Sequence, residues 1–141
     1  MPLTDIDGQR LGDSVADKLG IRNLIINGAM NVAQRGTSST SVGLATVDRW
    51  HSGGSGGTIT QSQEDVSSSD SPYAEGLRKF FRQTNTAVAS ASSHYRQIET
   101  KLEAQDIANS GWNYTNTSSF VTVSAWIRSS VAGTYSYQLR S

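Results

Sequence analysis

The sequence predicts an all-β fold, and three observations carry that prediction. Short β-branched and aromatic runs alternate with period two, most clearly at Val121, Val123, Ala125 and Ile127. Turn-forming stretches separate those runs: Asn27-Gly28, the glycine-rich segment 52–57, and Ser129 to Gly133. About a quarter of the residues are Ser or Thr and 17% are charged, which suits polar outer faces and wet loops better than a helical enzyme. At 141 residues the chain is one domain's worth of sequence. Its formal net charge is zero, so nothing electrostatic favours nucleic acid or an anionic membrane. No run approaches the ~20 apolar residues that span a bilayer, and no signal peptide is legible at the start. The chain has no cysteine, which removes disulfides and thiolate metal sites.

Residues 1–22 read as a separate segment, helical or extended. Leu11, Val15 and Leu19 recur at helical spacing, Ser14 and Asp17 sit as a capping box would, and Gly20 can end the turn. A helix of about two turns is marginal alone and needs a partner surface. Residues 23–141 read as a β-sandwich. Asn23 to Asn27 is a buried strand by composition, followed by a turn at Asn27-Gly28 and a loop through Gln34-Arg35-Gly36. Order returns at Val47-Asp48-Arg49-Trp50, and residues 51–57 make a hairpin-like connection to a strand at 58–62. Glu64 to Pro72 is polar loop. Residues 77–83 suit either a strand or one face of a helix, because Leu77, Phe80 and Phe81 fit both patterns. A strand over 94–101 follows, then a helical turn over 103–108 released by Asn109-Ser110-Gly111. The alternations at 120–128 and 134–140 place Val121, Val123, Ala125, Ile127, Tyr135 and Leu139 in the core beside Leu24 and Ile26.

The stretch Asn-Leu-Ile-Ile-Asn-Gly-Ala-Met-Asn-Val-Ala-Gln-Arg-Gly over 23–36, closing at Thr46-Val-Asp-Arg-Trp50, resembles the opening of a jelly-roll domain found in bacteriophage tail-fibre and other virion proteins. Tyr95 to Glu99, Val121 to Ile127 and Gly133 to Leu139 resemble its later strands. That domain is similar in architecture to carbohydrate-binding modules. The resemblance implies a jelly-roll-like sandwich and tips 77–83 towards strand. It further implies a non-enzymatic virion protein, a tail fibre attached through its N-terminus and involved in host-surface recognition. A capsid decoration or head-fibre protein, and a carbohydrate-binding module, are the alternatives. The partners implied are other virion proteins, a host-surface glycan, and further copies of the chain in a homotrimer. A jelly roll takes about eight strands and the chain supplies six or seven, so the sandwich is expected to be incomplete at its C-terminal end.

No catalytic constellation is legible. Glycoside hydrolysis needs two carboxylates about 5 to 10 Å apart, and the acidic residues are scattered. Asp48, flanked by Arg49, reads as a salt-bridged structural residue. His51 and His94 lack ligand spacing, so no metal site is read, and no cofactor. A calcium ion held by loop oxygens would suit the resemblance, but no regular acidic spacing demonstrates one. The carbohydrate-binding candidates are Trp112, Tyr114, Trp126 and Arg128: flat rings serve apolar sugar faces, and polar neighbours serve hydroxyls. Against that stands packing, the commoner fate of a tryptophan, and the one favoured for Trp126 and Trp50. Leu11, Val15 and Leu19 are the virion-attachment candidates.

Overall fold

The computed structural model describes residues 23–85 and 91–140. The segment 1–22, with Leu11, Val15 and Leu19, lies outside the described residues. The fold is all-β: antiparallel sheets with, among the described residues, two short helices. In chain order the elements are β1 (Ser38–Ser39), β2 (Trp50–Ser55), β3 (Ile59–Asp65), α1 (Ser71–Ala74), β4 (Lys79–Asn85), β5 (Tyr95–Thr100) and α2 (Ala104–Asn109). One sheet has the order β1-β3-β4 and the other pairs β2 with β5. Consecutive strands β2 and β3 therefore lie in different sheets, and so do β4 and β5.

The strand reading of 77–83 holds, because β4 pairs along its whole length with β3, from Ile59 opposite Asn85 to Asp65 opposite Lys79. This register sets Phe81 opposite Gln63 and leaves Phe81 buried while Phe80 is exposed. The ambiguity of adjacent phenylalanines is thus resolved by period two, not 3.6. The β3–β4 connection contains α1, which the sequence reading left as loop. Pro72 sits in its first turn, and the Arg78 guanidinium covers the Tyr73 ring at 3.8 Å while bonding Tyr73 O at 2.8 Å.

The centre of the molecule is small and mixes apolar with polar residues. Leu24, Val47, Ile59, Val66 and Phe81 are its buried apolar residues, and Thr46, Ser52, Gln61 and Ser62 are buried with them. Gln61 is fully buried: its Oε1 accepts from Thr46 Oγ1 at 2.9 Å and its Nε2 donates to the carbonyls of Ser41 and Gly43. Gln83, opposite Gln61 in the β3–β4 register, bridges the two sheets. Its Nε2 donates to Ser52 Oγ at 2.7 Å, with the Gly53 and Gln97 carbonyls at 3.5 and 3.4 Å. Buried amides satisfied this way cost little; unsatisfied, each would cost about 1–3 kcal/mol.

Three expectations are corrected. Residues 23–27 are not a strand: Asn23 Oδ1 accepts the Ile25 amide at 2.9 Å, and Asn27 takes φ = 55°. Asparagine side chains satisfy the backbone locally, which competes with a ladder; Leu24 is still buried, while Ile26 is 42% exposed. Residues 51–55 are strand, not connection, and the turn into β3 is 56–58, with Gly56 and Gly57 at φ = 75° and 70°. Residues 120–140 form no strand and pair with none among the described residues, and Val121, Val123, Ile127, Tyr135 and Leu139 are 41–75% exposed, outside the core. Alternation fixes which side chains share a face; it does not supply the neighbouring strand that makes a face into a core.

Candidate functional site

The motif residues of 27–50 converge on one another. Asn27 Nδ2 donates to the carbonyls of Val32 and Asp48, both at 2.9 Å, and Asn27 Oδ1 accepts the Val32 amide at 3.1 Å. Trp50 Nε1 donates to Asn27 O at 3.0 Å, so the half-buried indole closes the latch from the far side. Asp48 Oδ1 accepts the Gln34 amide at 3.2 Å and lies 3.6 Å from Arg35, while the Asp48 amide donates to Val32 O at 2.9 Å. Asp48 is therefore the structural residue expected, but its cationic partner is Arg35 and not its neighbour Arg49. The polar groups of the motif named here brace loop 27–36 internally and hold it against turn 47–50. The packing reading holds for Trp50.

Arg49 points elsewhere. It takes φ = 72°, a left-handed conformation unfavourable for a residue with a Cβ, and pairs with Glu103 at the start of α2. The Arg49 hydrogen bond and charge hold the Glu103 carboxyl below its ordinary pKa, and Glu103 raises that of Arg49. Because the folded pKa of Glu103 is lowered, the tie is complete above the unfolded value and is lost as pH falls through the folded one. We expect the Glu103 carboxyl in an NMR titration to have its midpoint below that of a free glutamate, and Arg49→Gln to move it upward. An unchanged midpoint in R49Q would show that the pair does not form in solution.

The helix α2 leads into the loop 110–119, which carries two of the sugar candidates. Gly111 takes φ = 79°, and Ser110 Oγ donates to Ile107 O at 2.7 Å and accepts the Trp112 amide at 3.1 Å. Asn113 Oδ1 receives the Thr115 amide and hydroxyl at 3.2 and 2.7 Å, and Asn116 Oδ1 receives the Ser118 amide at 2.9 Å. Trp112 Nε1 donates to Ser119 O at 3.4 Å. The loop is thus built on its own side-chain bonds, and it presents Tyr114 at 74% exposure beside half-buried Trp112. Their rings stand edge to face, 6.4 Å apart at 64°. Trp126 and Arg128 do not join them. Trp126 is 60% exposed and stacks on no ring among the described residues, so it is not the packing residue favoured from sequence. Arg128 meets Asp70 at 3.5 Å, in the β3–β4 connection. Among the described residues no group of histidine and acidic side chains is arranged to hold a metal ion, and no helix is long and apolar enough to cross a membrane.

No protein-family model, curated protein or solved structure matches the chain.

One feature escaped sequence reasoning. Beside the glycine-rich strand β2 lies an open depression of about 460 Å3, lined by Thr40, Val42, Gly54, Thr58, Ile59 and Arg96. Arg96 is held over the glycines: Nε donates to Asn85 Oδ1 at 2.6 Å, Nη1 to Ser55 O at 2.6 Å, and Nη2 to Gly56 O. Most of its donors are spent within the protein, so it acts as a clamp between β4, β5 and the β2–β3 turn. The signal available in sequence was the glycine run together with a strand that carries arginine. The missing information was their register, Gly54 opposite Arg96.

Proposed function

We propose that this chain is a non-enzymatic structural protein of a bacteriophage virion: a tail fibre attached through residues 1–22, with a jelly-roll-like sandwich turned to the host surface. The observation that carries this reading is the latch at 27–50. The stretch by which the sequence resembles virion jelly-roll domains folds as one hydrogen-bonded unit around Asn27, Asp48 and Trp50. The antiparallel sheets, bridged by Gln83, are the architecture such a domain would begin from. The self-braced loop with Trp112 and Tyr114 supports a host-surface glycan as the external partner, because a rigid exposed ring binds without losing much conformational freedom. Other virion proteins and further copies of the chain in a trimer complete the proposed partners.

Gold-labelled antibody against the chain, viewed on purified particles by electron microscopy, tests the assignment. Label on the tail is expected; label on the capsid would move the reading to a decoration or head-fibre protein, and unlabelled particles would overturn both. Receptor contact is tested separately with Tyr114→Ala. Truncating an exposed aromatic anchor costs about 1–2 kcal/mol, or about tenfold in binding, so particles carrying Y114A are expected to adsorb to host cells about tenfold more weakly with tail labelling unchanged. Unchanged adsorption would exclude this loop from the contact.

A further inference from the structure

We infer that residues 121–127 form a strand given to a second copy of this chain, where it adds to the open edge of β4. The segment has a strand's pattern, with Val121, Val123, Ala125 and Ile127 on one side and Thr122, Ser124 and Trp126 on the other, yet it belongs to no ladder. Among the described residues nothing pairs its backbone donors and acceptors along seven residues. The sheet order β1-β3-β4 leaves β4 at an edge, and that edge is also seven residues long. An unpaired strand and an unpaired edge are the two halves of strand addition, in which main-chain hydrogen bonds give affinity and alternate side chains give register.

The exposed apolar area is of the size that association requires. Phe120, Trp126, Tyr135 and Tyr137 are 58–85% exposed. At roughly 150–250 Å2 for each fully buried ring, and with Val121, Val123 and Ile127 added, the arm offers on the order of the ~800 Å2 that each partner contributes to a stable interface. The chain's own contacts tie the arm at two points. Arg128 is drawn to Asp70 at 3.5 Å, and the Tyr135 hydroxyl, 2.6 Å from Ser129 Oγ and 2.7 Å from Val131 O, closes the turn that follows. A second copy supplies an edge without breaking either tie, and each copy both gives a strand and receives one.

Sedimentation equilibrium of the full chain at tens of micromolar is the first test, and a mass above that of the monomer is expected. Val123→Pro removes a ladder N–H at the centre of the strand, and V123P is expected to sediment as a monomer with the circular dichroism of β2–β5 retained. The native chain has no cysteine, so Thr122→Cys and Thr84→Cys on separate chains, opposite each other when 121–127 adds antiparallel to 79–85, report the contact directly: a disulfide between the mixed proteins is expected. A monomeric parent, a V123P protein with the parent's mass, or a disulfide that forms within a monomer carrying both substitutions would overturn the inference.

Discussion

Gly54→Ala is expected to destabilise the protein by roughly 3–5 kcal/mol, combining backbone strain with overpacking. Gly54 takes φ = 155°, and a Cβ placed there would lie 2.5 Å from Tyr95 O and under 3 Å from the Arg96 side chain. The obstructing carbonyl belongs to the backbone of the partner strand and cannot swing aside as a side chain would. Gly54 also lies opposite Arg96 in the β2–β5 register, so relief of the clash must open that ladder and release the guanidinium from Ser55, Gly56 and Asn85. Thermal and urea unfolding of G54A against the parent measure the loss. Alanine at Gly76, where nothing lies within 4 Å although φ is 89°, is the control, and it is expected to cost about 1 kcal/mol from conformation alone. Equal losses at both positions would show that the Arg96 clamp contributes nothing.

Asn27→Ala is expected to cost roughly 2–4 kcal/mol. The side chain makes three bonds, two that brace loop 27–36 at Val32 and one that joins it to turn 47–50, and its loss strands the Val32 amide and the Asp48 carbonyl. Asparagine also tolerates φ = 55° better than alanine, which adds about 1 kcal/mol. Asn27→Gly separates the two contributions, because it relieves the backbone and still removes the bonds. Urea unfolding should place N27G between the parent and N27A. The Trp50 fluorescence spectrum is expected to shift to longer wavelength in both, as its indole loses the geometry around Asn27 O. A variant as stable as the parent would mean that the motif is not a latch.

The strands at 59–65 and 95–100 and the helical turn after them were legible from their own patterns and from stop signals such as Gly111 after α2, whereas the residues of β4 fitted a helix as well and only the resemblance tipped them to strand. What stayed hidden was pairing. The sequence shows that Val121, Val123 and Ile127 share a face, but a face becomes a core only when another strand covers it, and nothing local states which one does. The glutamines were hidden for a related reason. Gln61 and Gln83 look like solvent-facing polar residues in alternating strands, and only the register that sets them opposite each other, with Thr46 and Ser52 within reach, turns them into interior groups. Of the site residues, Trp112 and Tyr114 were placed together by their nearness in sequence, whereas Trp126 and Arg128 required long-range geometry that alternation does not contain.

The glutamine seam between the sheets has a thermal consequence. Exposing apolar surface on unfolding raises the heat capacity, while exposing amides lowers it. A seam built from Gln61, Gln83, Thr46 and Ser52 therefore contributes little to the curvature of the stability curve. Apolar contacts weaken as water is cooled, because their driving force near room temperature is entropic. Hydrogen bonds between amides and hydroxyls do not share that dependence, so this seam keeps its strength in the cold where an apolar core of the same size would lose part of its own.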